Sequence, residues 1–130
     1  PQKLVFIAGG IGITPFRSMV KYMIDKQEKR DVVLFYFVNS ETDFAYQELF
    51  EEARQKISLR VEYVASAPSP AWHGRTGRMT AETIVEIVPD FYERNFMLSG
   101  PNAMVQNYKK MLRGMGVATK NIKTDYFPGF

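Results

Sequence analysis

Apolar and polar positions fall in blocks along this chain, and the period changes from block to block. Lys3–Ala8 ends in the run Leu4-Val5-Phe6-Ile7-Ala8, and Asp31–Val38 contains Val32-Val33-Leu34-Phe35-Tyr36-Phe37-Val38. Continuous apolar runs bounded by polar residues predict strands covered on both faces, as in a parallel sheet. Ser58–Ala65 predicts a third strand, with Leu59, Val61 and Tyr63 alternating with Arg60 and Glu62; Asn95–Ser99 predicts a fourth and Ile122–Phe127 a fifth. Between these runs the period lengthens to that of a helix. Phe16, Met19, Val20 and Met23 share one face of a helix from Pro15 to about Lys26. A second helix, from Phe44 or Ala45 to Lys56, places Tyr46, Leu49, Phe50 and Ala53 on one face. Thr80 caps a short third, Ala81–Val88, which stops at Pro89. In a fourth, Ala103 to about Met115, Met104, Val105, Tyr108, Met111 and Leu112 turn inward. Ser66–Met79, with Pro68, Pro70, Gly74 and Gly77, reads as a long loop, and Pro128-Gly129-Phe130 as a tail.

Strands alternate with helices throughout, and right-handed crossovers between parallel strands leave an α/β, doubly wound, five-stranded parallel sheet with helices on both faces. The expected strand order is 3-2-1-4-5, a Rossmann-like arrangement. Ligands in such sheets sit at the carboxyl ends of the strands where the order reverses, here between strands 1 and 4. Both of those strands end in glycine turns, Gly9-Gly10-Ile11-Gly12 and Gly100-Pro101. After the first come Thr14 and Pro15, a helix-start signal with Thr14 as the cap. Glycine backbone admits a ligand closely, and a helix start offers free N–H groups to a pyrophosphate. Two glycine turns facing one crevice favour a nucleotide site over a tight turn with no ligand.

Composition narrows the chemistry. The 130 residues suffice for one domain, 1–130, and 45 % hydrophobic with 24 % charged residues is an ordinary globular balance. There is no cysteine, hence no disulfide or thiolate site, and the single histidine, His73, makes a histidine metal site or a Ser-His-Asp triad improbable. Net charge is +3, with scattered basic residues, so nucleic-acid binding is not indicated. No apolar run approaches the roughly 20 residues that span a bilayer. The start at Pro1, directly before a buried-type strand, has the look of a piece cut from a longer protein.

Four motifs occur in order: Gly9-Gly10-Ile11-Gly12-Ile13-Thr14-Pro15-Phe16, Trp72-His73-Gly74-Arg75-Thr76-Gly77, Ser99-Gly100-Pro101-Asn102-Ala103-Met104-Val105, and Asp125-Tyr126-Phe127-Pro128-Gly129-Phe130. Together the chain resembles the NAD(P)-binding domain of the ferredoxin–NADP reductase superfamily, over essentially its whole length. The resemblance implies an oxidoreductase half: an upstream β-barrel domain, absent from this chain, holds FAD or FMN, and hydride passes from nicotinamide to that flavin. Electrons then go on to a ferredoxin, haem or iron–sulfur acceptor. It also implies roles. Gly9, Gly10 and Gly12 match the dinucleotide-binding glycines, Thr14 and Pro15 the helix start beside the pyrophosphate, and Ser99, Gly100 and Pro101 a Cys-Gly-Pro motif with serine in place of cysteine. Ser99 and Asp125 match positions beside the nicotinamide, Met104 a residue on its side of the ligand, and Phe127 and Phe130 an aromatic ending that approaches the flavin or the nicotinamide pocket. Met104 equally suits a core position, and Asp125 a solvated strand end.

Of the two dinucleotides, NADH is favoured. NADP needs a cation near the end of strand 2, and Asn39-Ser40-Glu41-Thr42-Asp43 offers none, while Asn39 and Ser40 suit a ribose hydroxyl. Arg75 and Arg78, on the long loop, are the residues that would reverse this by reaching the phosphate. Trp72 is expected to pack over the sheet edge and His73 to be solvated. The expected location is cytoplasmic, or the cytoplasmic face of a membrane-bound parent. The competing reading is a non-catalytic nucleotide-binding sensor or interaction module. A self-sufficient dehydrogenase is disfavoured by the lack of a catalytic histidine constellation and of a substrate domain.

Overall fold

Each strand that the apolar runs predict is present and pairs parallel to its neighbours. In the computed structural model the described residues are 2–127, the side chains at 126 and 127 excepted. The strands are β1 (Leu4–Gly9), β2 (Val32–Val38), β3 (Arg60–Ala65), β4 (Arg75–Thr76), β5 (Asn95–Pro101) and β6 (Ile122–Phe127), and the helices α1 (Thr14–Lys26), α2 (Gln47–Ile57), α3 (Ala81–Ile87) and α4 (Asn102–Gly114). The sheet runs β4-β3-β2-β1-β5-β6. Without β4 this is the expected 3-2-1-4-5 order. The sheet has six strands instead of five, because the long loop adds β4 beside Val64 and Ala65. Two residues are too short to carry a hydrophobic period.

The central strands are apolar throughout because both faces are covered. Leu4, Phe6 and Ala8 of β1 turn to the side packed by α1 and α2, with Phe16, Phe50 and Ala53. Val5 and Ile7 turn to the side packed by α3 and α4, with Ile84, Val105 and Leu112. Phe6 stacks on Phe16 with ring centroids 4.5 Å apart, and burying each such side chain contributes about 1.5–3 kcal/mol.

Three element ends differ from expectation. α1 starts at Thr14 itself, after a 3-10 turn over Gly10–Ile13, and Thr14 forms no side-chain cap. α2 starts only at Gln47, because Tyr46 is left-handed at φ 62°. Just before it, the Ala45 N–H donates to the Tyr36 hydroxyl at 3.0 Å, and the Phe44 ring packs on Tyr63 at 4.9 Å. Tyr46 is therefore not on the buried helix face; it is exposed, with the Arg17 guanidinium 5.5 Å from its ring centre. Gly100 and Pro101 are the paired end of β5, opposite Tyr126 and Phe127, and not a turn.

The amino ends of the strands are tied by a buried arginine. Arg94, 2 % exposed, donates to the carbonyls of Leu4 and Asp31, each at 3.2 Å. It also pairs with Asp31 at 2.8 Å and with Asp90 at 3.0 Å, and Lys3 reaches Asp90 at 3.0 Å. One side chain thus joins the beginnings of β1, β2 and β5.

Candidate functional site

At the opposite, carboxyl end of the sheet lies a cleft of about 750 Å³. Gly9 and Gly10 form one wall, where β1 passes into the 3-10 turn. Pro101 and the α4 residues Met104, Asn107, Tyr108 and Met111 form another. The far end is made by Asn39 after β2, Ser66 after β3, and Arg78 and Met79 from the long loop. Strand order reverses at β1, so this is the crevice the topology predicts.

The glycines serve different ends. Gly10 has φ +55°, a conformation that disfavours side chains, and open space above it. Gly12 is buried: a methyl group there would lie 2.7 Å from the Gly100 nitrogen and closer still to the Ser99 carbonyl. Its missing side chain lets the turn lie on β5. Above Gly9 the space is filled by the Met104 side chain, which also covers Gly100.

Of the residues singled out in the sequence, Gly9, Gly10, Asn39, Arg78, Pro101 and Met104 line the cleft, and Arg75 does not. Gly12, Thr14, Pro15, Ser40, Ser99, Gly100 and Asp125 lie outside its lining. Ser99 and Asp125 are brought together as register partners on β5 and β6; Ser99 is buried and Asp125 exposed. Ser40 caps the 3-10 turn Glu41–Asp43, its hydroxyl accepting the Thr42 N–H at 3.3 Å. Phe130 lies outside the described residues, as does the Phe127 side chain.

The two acids that follow β2, Glu41 and Asp43, are both engaged locally. Asp43 accepts the Ser40 N–H at 3.2 Å. Glu41 accepts the Ser69 N–H at 2.9 Å and the Ser69 hydroxyl, which hold its carboxyl below the usual range. This contact fixes the long loop. The same loop is zipped onto β2, with the Ala67 N–H on the Asn39 carbonyl at 2.7 Å and the Ser66 hydroxyl on Asn39 Oδ1 at 3.1 Å. Trp72 packs on Phe44 at 5.5 Å and donates to the Arg75 carbonyl at 2.9 Å, at the sheet edge as expected. Met79, buried, donates its N–H to the Tyr108 hydroxyl at 3.3 Å. Burial pushes the Tyr108 pKa up, against the opposing pull of that N–H and of the Arg78 charge.

Sequence reasoning missed Phe37, Ser66, Asn107 and Met79 as lining residues, and read Tyr108 and Met111 only as core. A signal was present on α4. Met104, Asn107, Tyr108 and Met111 fall at i, i+3, i+4 and i+7, one helical stripe, and here that stripe faces the cleft as well as the core. The Asn39 and Ser66 positions follow from the strand ends alone. Among the described residues there is no cluster of three or more metal-ligating side chains, and no helix long and apolar enough to cross a membrane.

A glycine-turn cleft at the switch point of a doubly wound parallel sheet defines a pyridine-nucleotide-binding domain. A family model for the oxidoreductase NAD-binding domain matches residues 6–110, and the chain belongs to that family. It is 31 % identical over 118 residues to the glycine betaine monooxygenase reductase subunit of Pseudomonas aeruginosa, covering 88 % of this chain and 32 % of that protein. It is 33 % identical over 118 residues to NADH-cytochrome b5 reductase 1 of Aspergillus terreus, covering 85 % and 40 %. The chain thus spans well under half the length of these curated relatives. In fold it is similar to the flavohaem-like FAD/NAD-binding domain of nitric oxide dioxygenase from Vibrio cholerae, with TM-score 0.85 at 20 % identity, over 98 % of this chain and 52 % of that one.

Proposed function

We propose that this chain binds reduced nicotinamide dinucleotide in the cleft and positions its nicotinamide for hydride transfer to FAD or FMN held by a partner domain. The observation that carries this reading is the cleft itself: about 750 Å³, at the switch point, walled by Gly9, Gly10 and Pro101. Its lining chemistry fits a dinucleotide. Apolar side chains from Met104, Phe37 and Met111 suit ring faces, and Asn39 and Ser66 supply polar atoms for ribose. When bound, the dinucleotide supplies the hydride. The chain's own residues contribute position, the largest lever available to a domain without an acid–base constellation. Gly10 keeps the backbone open to the ligand, Pro101 and Met104 border its nicotinamide end, and Ser99 and Asp125, register partners outside the lining, are assigned to that end through the motifs they belong to. Thr14 and Pro15 open α1 at the same end.

NADH is the preferred dinucleotide in this reading. Asn39–Asp43, which follow β2, carry no cation, and one relative is by name an NADH-cytochrome b5 reductase; Arg78, which shares the cleft lining with Asn39, is the residue that would reverse the preference. The flavin domain is assigned upstream and the electron acceptor to a separate centre, a ferredoxin, haem or iron–sulfur protein; the parent is placed in the cytoplasm or on the cytoplasmic face of a membrane. Calorimetric titration of the chain with NADH tests the core of the proposal. Saturable one-to-one binding, displaced by ADP-ribose, is expected. No heat and no displacement at millimolar NADH would overturn it and favour an interaction module.

A further inference from the structure

We propose that the Arg78 guanidinium is the phosphate-holding group of the cleft. The inference rests on the dinucleotide reading above and adds the residue that answers the ligand's charge. Among the described residues Arg78 is the only charged side chain in the lining. It is exposed, and it enters none of the ion pairs or side-chain hydrogen bonds of the described residues. The other cation of the same loop, Arg75, is engaged by Glu62 at 3.4 Å. Arg78 is also held in place by its neighbours. Two residues before it, Thr76 is laddered to Ala65, and directly after it Met79 is bonded through its N–H to Tyr108. Arg78 thus places a guanidinium, on an anchored backbone, in the same lining as Asn39 and Ser66.

The turn at the other end adds no side-chain charge. A helix start ordinarily offers several free N–H groups to a pyrophosphate. Here the chain enters α1 through a 3-10 turn, and the Thr14 N–H is already donated to the Ile11 carbonyl. No other lining side chain carries positive charge. Among the described lining residues, a ligand with two or more phosphate charges therefore finds one ionic partner, Arg78. Guanidinium matches phosphate oxygens with paired donors, and charge-assisted bonds of this kind are the strong ones. The phosphate it holds is either the pyrophosphate common to both dinucleotides or the 2′-phosphate of NADPH.

Isothermal titration of the full chain with NADH, NADPH and 2′-AMP, before and after Arg78→Ala, tests this. Loss of a charge-assisted bond is expected to weaken binding about 10- to 100-fold. Equal weakening for NADH and NADPH assigns the pyrophosphate. Weakening confined to NADPH and 2′-AMP assigns the 2′-phosphate. Arg78→Lys should retain part of the affinity, and Lys110→Ala, on the outer side of α4, should change nothing. Circular dichroism checks that each variant is folded, and Arg78→Gln carries the same test if the alanine variant is not. Unchanged affinity for both dinucleotides in Arg78→Ala, with the parent chain binding normally, overturns the assignment alone. A parent chain that binds neither dinucleotide overturns it together with the reading on which it rests.

Discussion

Two glycines in one turn, two residues apart, answer to different constraints. At Gly12 a side chain would meet the backbone of Ser99 and Gly100; at Gly10 it would meet nothing but would hold an unfavourable φ of +55°. Gly12→Ala should therefore cost about 3 kcal/mol by overpacking, and Gly10→Ala only about 1–2 kcal/mol through its backbone. Urea denaturation of the two variants checks the order; an equal or reversed loss would mean that the turn does not lie on β5. The glycines were conspicuous in the sequence, but which one faces the cleft and which one faces β5 was not, because β5 lies some ninety residues away. Ser40 and Thr14 illustrate the same gap. Their residue types suit a ligand or a cap equally, and the structure assigns Ser40 to a cap and denies Thr14 one.

Among the elements, the strands were legible because burial on both faces writes them as unbroken apolar runs. The exceptions have local causes. β4 is too short to show a period, and the start of α2 is set by Phe44 packing across the sheet on Tyr63. The tie between strand beginnings was wholly hidden, since Asp90–Arg94 has the composition of a loop. Removing one partner from a buried charged network typically costs about 3–5 kcal/mol, so Arg94→Ala should lose that much in chemical denaturation. The network also sets an acid limit. Burial opposes the charge on Asp90, but hydrogen bonds from Arg94 and Lys3 outweigh it and hold the pKa at about 2. A carboxyl depressed on folding adds stability above its unfolded pKa of about 3.9, and that stability is lost as pH falls toward 2. Roughly 2 kcal/mol should disappear over that window in the parent chain and be missing at every pH in Asp90→Asn. Parallel pH profiles would show the idea to be wrong.

Across the whole molecule, the cleft draws on both halves of the sheet. Asn39, Ser66 and Arg78 come from the β2–β3 side, Pro101 and Met104 from the β5 side; β1 lies between them in the sheet, and the Met79–Tyr108 hydrogen bond joins them directly. Topology alone places the site at the switch point. It did not reveal the far end, because the path of residues 66–79 is set by contacts remote in sequence, Glu41 with Ser69 above all. A ligand spanning the cleft links the halves. At 100 times its Kd, NADH should add about 2.7 kcal/mol to unfolding by mass action. Hydrogen exchange should slow on both sides, around Ser66–Met79 and in the first turns of α4. Slowing on one side alone would mean that the ligand does not span the cleft.

The packing around the glycine turn bears on how the sequence can drift. Above Gly9 stands the end of a flexible methionine, with the Pro101 ring 3.3 Å away as a lesser contact, whereas above Gly12 stands main chain. Alanine at position 9 is open to compensation, through a smaller residue at 104. Alanine at position 12 has no such remedy, since no change of side chain removes a carbonyl. A selection for second-site revertants should accordingly recover Gly9→Ala through position 104 and return only true revertants for Gly12→Ala. One glycine is a negotiable half of a pair; the other is fixed for as long as the fold lasts.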